Sequence, residues 1–156
     1  HARMNPPLRL DRDVAALREG LADGTLDAVA TDHAPHGVLD KQVEFSRSMN
    51  GVVGLETALP LTLALVREGV LPLGRAVELL TSGPARCFGL ELGQLGAGAP
   101  ADVVLVDPDE RWTVDAARFE SKSRNTPFQG WTLAGRVIQT WVAGRGVFAR
   151  PRKESA

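Results

Sequence analysis

Leu26-Asp27-Ala28-Val29-Ala30-Thr31-Asp32-His33-Ala34-Pro35-His36 reads as a short apolar strand, Leu26 to Ala30, running straight into a carboxylate and two imidazoles. Upstream, Val14, Leu17 and Leu21 recur at spacings of three and four, which predicts a helix over Asp13–Ala22 with Asp11 as its N-cap and Gly24 as its stop. Helix, short loop and buried strand is the repeating grammar of an α/β fold. In such folds catalytic groups collect at the carboxyl ends of strands, which is where Asp32, His33 and His36 fall. Pro35 stiffens the turn and narrows the positions open to His36.

Outward from this stretch the chain divides into three zones. The first, residues 1–36, opens on Asn5-Pro6-Pro7-Leu8, where two prolines forbid helix and favour extended or turn backbone. The second, residues 37–90, starts as a polar loop and turns helical over Ala58–Glu68, with Gly69 as its end. Helices over about Gly74–Leu80 and Pro84–Phe88 follow, the last closed by Gly89. The third zone, residues 91–156, changes to β character. A run over Ala101–Val106 is closed by the turn at Asp107-Pro108, and two strands, Gly135–Val142 and Gly146–Phe148, are linked by a tight hairpin at Ala143-Gly144-Arg145. This predicts a small antiparallel β module appended to an α/β body. Gly93, Gly96 and Gly98 imitate a phosphate loop, but a strand follows them, whereas a dinucleotide fingerprint leads into a helix.

Composition narrows the functional classes. The 156 residues are 44% hydrophobic and 24% charged, with 18 basic against 19 acidic side chains and a formal net charge of −1. No basic stripe or acidic block points to a nucleic-acid partner. Arg150, Arg152 and Lys153 read as a solvated tail. The longest apolar run, Ala58 to Val66, falls far short of the roughly 20 residues that span a bilayer. A lone cysteine, Cys87, rules out an intrachain disulfide and suits a reducing compartment, so a soluble cytoplasmic protein is expected. Cys87 lies in an apolar stretch and reads as a buried structural thiol. Trp112, Trp131 and Trp141 read as core or sheet-packing residues, and Ser121-Lys122-Ser123 as a surface loop. Glu56 reads either as a brace for the loop beside the site or as a substrate contact.

On spacing alone the Asp32–His36 stretch has two readings: catalytic groups, or a helix cap with satisfied loop contacts. A catalytic zinc takes about three protein ligands and a structural one about four. The chain holds three histidines, His1, His33 and His36, and these do not assemble a metal site by themselves.

Four segments together carry a stronger signal. Asn5-Pro6-Pro7-Leu8-Arg9, Thr31-Asp32-His33-Ala34-Pro35-His36, Gly51-Val52-Val53-Gly54-Leu55-Glu56-Thr57-Ala58-Leu59-Pro60-Leu61 and Ser121-Lys122-Ser123-Arg124-Asn125-Thr126-Pro127-Phe128-Gln129-Gly130 resemble the dihydroorotase family in order and spacing. The resemblance covers nearly the whole chain. It implies an amidohydrolase-superfamily fold of class α/β, a distorted (β/α)8 barrel with a small β-sandwich beside it. Residues 1–90 would be the C-terminal part of the barrel, its last strand and closing helices, and residues 91–156 the sandwich strands and tail. It also implies a zinc site, often binuclear, and the reversible interconversion of L-dihydroorotate and N-carbamoyl-L-aspartate in pyrimidine biosynthesis.

By the same resemblance Asp32 matches the aspartate that ligates metal and acts as general acid/base. His36 matches the histidine that holds the substrate carboxylate, Asn5 an asparagine contacting the substrate, and Asn50-Gly51 a loop whose backbone amides bind it. Where the family tends to read Phe-Gly, this chain reads Asn50-Gly51, which keeps backbone contacts and alters the pocket wall. The family's His-x-His pair and later ligand histidines are absent, so the other zinc ligands are expected outside this chain. A (β/α)8 barrel needs about 250 residues; the chain is therefore expected to be a C-terminal portion, inactive and poorly folded alone. A homo-oligomer is implied, and association with aspartate transcarbamoylase is an open partner. Two alternatives stand beside this reading: a non-catalytic scaffold subunit of that partner, and another cyclic amidohydrolase such as allantoinase or dihydropyrimidinase.

Overall fold

The computed structural model describes residues 1–151. Five α-helices come first: α1 (Asp11–Asp23), α2 (Val38–Lys41), α3 (Ala58–Arg67), α4 (Leu73–Glu78) and α5 (Ser82–Cys87). Three strands follow, β1 (Val103–Thr113), β2 (Thr132–Val142) and β3 (Arg145–Ala149), with a 3-10 turn at Ala116–Arg118. The strands form one antiparallel sheet in the order β1-β2-β3. Arg152 and Lys153, read above as part of a charged tail, lie outside the described residues.

Local chemistry explains the element ends. Gly24 closes α1 in the left-handed conformation, φ 89°. The residue that caps α1 is Leu10, not Asp11: its amide donates to the Asp13 carboxylate at 3.2 Å. Asp11 and Asp13 then occupy the first turn, where acidic groups complement the helix dipole. At the hairpin, Ala143 and Gly144 both have positive φ, 49° and 74°, the backbone that matches a two-residue turn to the twist of its strands. β1 does not stop at Pro108. The Asp107 carboxylate accepts from the Asp109 and Glu110 amides, both at 2.9 Å, and the register shifts between Asp107 and Arg111. Pro108 is thus accommodated in an irregularity of one long strand.

The expected strand Leu26–Ala30 does not form. A strand exists through a ladder with a neighbour, and among the described residues none lies beside this segment. It is held instead by single bonds: Leu26 N–H to Gly20 O (2.8 Å), Val29 N–H to Leu79 O (2.9 Å), and the Arg75 guanidinium to Leu26 O (2.6 Å).

Two apolar clusters hold the chain together. Leu71, Ala76 and Leu79 form one, with Leu21, Val29, Leu65, Val66 and Val70 packed against it. Val53, Val114, Ala116, Phe119 and Leu133 form the other, flanked by Leu61, Trp112 and Phe128. The second cluster joins the loop before α3 to the sheet. α3 lies so close on β2 that a Cβ on Gly135 (φ 107°) would stand 2.5 Å from Leu63 Cδ1.

Three further expectations are corrected. Cys87 is exposed, because it falls on the outer side of the short helix α5 and nothing in the described chain covers it. Trp131 is exposed too and meets the Phe128 ring edge-on, at 5.3 Å between centroids. Trp112 keeps its packing role, its indole N–H donating to Gly135 O at 3.1 Å under the Arg136 guanidinium. Arg150 is not a solvated tail residue: it is ion-paired with Glu110 on β1, which draws the chain back across the sheet.

Candidate functional site

The residues singled out by sequence gather where three segments meet: Thr31–His36, Ser48–Gly54 and Asn125. Ala34 N–H donates to Val52 O at 2.9 Å, and Val53 N–H donates to Asn125 O at 3.1 Å. The Asn125 side chain, 2% exposed, closes the triangle. Its amide donates to Ala34 O (2.9 Å) and Gly51 O (3.3 Å), and its carbonyl accepts from His36 N–H (3.2 Å). One carboxamide therefore satisfies backbone groups from both site segments.

Asp32 stands at the open side of this junction. It is exposed and adopts φ 44°, a left-handed conformation that aspartate tolerates better than most residues. Its carboxylate makes no hydrogen bond or ion pair among the described residues. His33, beside it, turns the other way: Nδ1 accepts from the Gly54 and Leu55 amides at 3.1 and 3.4 Å. An accepting Nδ1 places the ring proton on Nε2, so His33 is a loop clamp with an N–H donor at its far end.

His36 Nε2 lies 2.7 Å from Asn50 O, which makes that nitrogen the donor. Gly51 is buried with φ 99°, and a Cβ there would stand 2.6 Å from the Ala34 Cβ. Only glycine fits both the conformation and the contact. The Gly51 amide, expected to face a substrate, donates to Arg3 O at 2.8 Å. Among the described residues Asn50 N–H is the open amide of the pair. Asn5 is exposed, next to the cis Asn5–Pro6 bond and two residues beyond Arg3, whose carbonyl accepts from the Gly51 amide.

Three contributors escape a reading of the sequence. Lys41 is 7% exposed, and its ammonium donates to Met49 O (2.7 Å) and Gly51 O (3.0 Å). Burial, then the neighbouring Arg3 charge, hold its pKa below the ordinary 10.5. Arg3 itself donates to Ser48 O. Asn125 is the third. It lies inside the quoted Ser121–Gly130 segment, yet nothing in that string marks one residue as the junction. Glu56 resolves as a brace, its carboxylate accepting from the Glu120 and Ser121 amides, both at 3.1 Å.

The donor set bears directly on metal binding. Asp32 offers an open carboxylate, a suitable oxygen ligand for zinc. Among the described residues no group of three or more His, Cys, Asp or Glu side chains is placed to hold a metal ion. The chain therefore fits a metal as one donor of a larger set. No helix among the described residues is long and apolar enough to cross a membrane.

Residues 4–147 match the sequence profile of the Amidohydrolase family. The dihydroorotase of Syntrophotalea carbinolica is 58% identical over 145 residues, which is 93% of this chain and 34% of that protein. The dihydroorotase of Anaeromyxobacter sp. is 61% identical over 143 residues, 92% of this chain and 33% of that protein. Among solved structures, the L-hydantoinase (dihydropyrimidinase) from Arthrobacter aurescens has a TM-score of 0.88 at 34% identity, covering 98% of this chain and 35% of that one. The D-hydantoinase (dihydropyrimidinase) from Thermus sp. has a TM-score of 0.86 at 30% identity, over 95% and 34% of the respective chains. The chain spans about a third of the length of the relatives it matches.

Proposed function

The chain belongs to the amidohydrolase family, and on that premise we propose that it is the C-terminal portion of a dihydroorotase, a zinc-dependent enzyme interconverting L-dihydroorotate and N-carbamoyl-L-aspartate. The observation that carries the assignment is the 58–61% identity to proteins of that name across more than nine-tenths of the chain. In this reading residues 1–90 complete a (β/α)8 barrel and residues 91–156 supply strands of the adjoining sandwich. The hydantoinase likeness supports that architecture.

The chemistry assigned to this chain follows the family resemblance, and the open Asp32 carboxylate supports it. Hydrolysis adds water across the ring amide, leaving a carboxylate and a ureido nitrogen. Asp32, open and unpaired, accepts the proton of the attacking water and returns it to the departing ring nitrogen. Zinc, when bound, polarises the amide carbonyl and lowers the pKa of water, with Asp32 as one ligand and the others outside this chain. By the family resemblance His36 is the proposed contact of the substrate carboxylate, its Nε2–H passing from Asn50 O to the substrate, with Asn5 and Asn50 as further proposed contacts. The reverse reaction uses the same aspartate to deprotonate the ureido nitrogen.

The hydantoinase neighbours favour a second reading, a cyclic amidohydrolase acting on rings without the carboxylate. Assays of the natural protein on dihydroorotate, dihydrouracil and hydantoin separate the two. Dihydroorotate turnover that needs zinc, and that falls about 10²–10⁴-fold in Asp32→Asn, is expected from loss of an acid/base group. Turnover of the carboxylate-free rings with none on dihydroorotate would overturn the assignment. The same proposal places the protein in a reducing cytoplasm, which the exposed free thiol of Cys87 suits. Homo-oligomer formation, or docking to aspartate transcarbamoylase, is proposed on the family resemblance alone. Sedimentation of the natural protein with and without that partner tests it.

A further inference from the structure

The carbonyls of Ser48, Met49, Asn50 and Gly51 are four in a row, and every one accepts from a basic side chain. Arg3 donates to Ser48 O, Lys41 to Met49 O and Gly51 O, and His36 to Asn50 O. Lys41 therefore brackets Asn50, the residue whose carbonyl holds the His36 ring. It does so from a helix of four residues, α2, whose first turn is tied by the Asp40 carboxylate to the Gly37 amide. The loop is pinned back on the same helix by Met49 N–H to Asp40 O at 3.0 Å.

A buried ammonium is ordinarily matched by a carboxylate, because taking a charge out of water is costly unless it is paired. Here its recorded partners are neutral carbonyls, and its charged neighbour is another cation, Arg3. Asp40, next to it in sequence, is turned to the Gly37 amide.

We propose that Lys41 and Arg3 are positioning residues: a two-cation clasp that fixes the Ser48–Gly51 loop and orients the His36 ring through Asn50 O. This rests on the dihydroorotase reading and deepens it, because it assigns two further side chains to holding the loop proposed to bind the substrate.

The test uses the natural protein and two measurements. Lys41→Met keeps the length and apolar stem of the side chain and removes the charge. Hydrogen exchange followed by mass spectrometry is expected to speed up in peptides covering residues 46–54 and to stay unchanged over α3. KM for dihydroorotate is expected to rise about tenfold or more while kcat changes less than about threefold, the signature of lost binding shared by ground and transition states. Arg3→Met, on the less buried cation, is expected to move both readouts the same way to a smaller extent, and it serves if Lys41→Met does not fold. Unchanged exchange in the loop would overturn the clasp. So would kcat falling as far as kcat/KM together with zinc content, which marks a general structural role. A wild-type protein that leaves dihydroorotate intact overturns the proposed function itself, and loop exchange then decides the positioning role alone.

Discussion

Replacing Asn125 with alanine removes three side-chain hydrogen bonds at once, and the structure shows what each partner is left with. Gly51 O keeps Lys41 at 3.0 Å and stays satisfied. Ala34 O loses its 2.9 Å donor and His36 N–H its 3.2 Å acceptor, both at a residue that is 2% exposed. The backbone bond from Val53 N–H to Asn125 O survives, since it needs no side chain. Two orphaned backbone groups at about 1–3 kcal/mol each give roughly 2–6 kcal/mol, and water entering the vacated volume brings the expectation to about 2–4 kcal/mol. Urea unfolding of the natural protein measures it as a fall in the midpoint at constant m-value. A loss below about 0.5 kcal/mol, the range of an ordinary surface substitution, would refute the reasoning that one carboxamide holds the junction.

Gly51→Ala sets a side chain at φ 99° with its Cβ 2.6 Å from Ala34 Cβ, so a loss of at least about 2 kcal/mol is expected from backbone strain and overlap together. An unshifted urea midpoint would contradict it. Glu78 accepts from Arg75 at 2.8 Å and from Arg86, which hold its carboxyl below the ordinary 4.5. Its folded pKa is the lower one, so the unfolded chain takes up the proton first on acidification. The stabilisation is then present above the unfolded value and is lost as pH falls through the folded one. Glu78→Gln is therefore expected to flatten the acid limb of the stability–pH curve while leaving its slope near neutral pH unchanged, as read from urea midpoints at stepped pH.

What was legible in the sequence was what neighbours along the chain determine. Gly24, Gly69 and Gly89 marked helix ends, and all three have positive φ in the structure. The hairpin at Ala143-Gly144 followed from strand patterns on either side. What was not legible depends on residues far apart. Leu26–Ala30 has the composition of a strand but no neighbour to pair with, so composition alone misled. Cys87 looked buried because its neighbours are apolar, whereas burial depends on what packs over α5. At the site, Asp32 and His36 stood out through the resemblance of the Thr31–His36 segment and its companion segments, since spacing alone left two readings. Lys41 and Asn125 did not, since a lysine in a polar loop and an asparagine in a Ser/Arg/Thr stretch read as solvated. Their roles come from partners up to 91 residues away.

The Asn125 junction and the Glu56 brace bear on how this polypeptide can be recombined. A graft exchanged at residue 90, where the composition turns from helical to β, would carry Asn125 and the Glu120–Ser121 amides away from the segments they fasten. A donor sequence differing at those few positions would leave the hybrid with a site loop untied on one side, however well its sheet formed. Breakpoints that respect inheritance here are set by the hydrogen-bonded pairs. The segment around residues 119–130 should travel with the site loop, and β2 with α3, since Gly135 lies against Leu63 and Leu133 shares a core cluster with Val53.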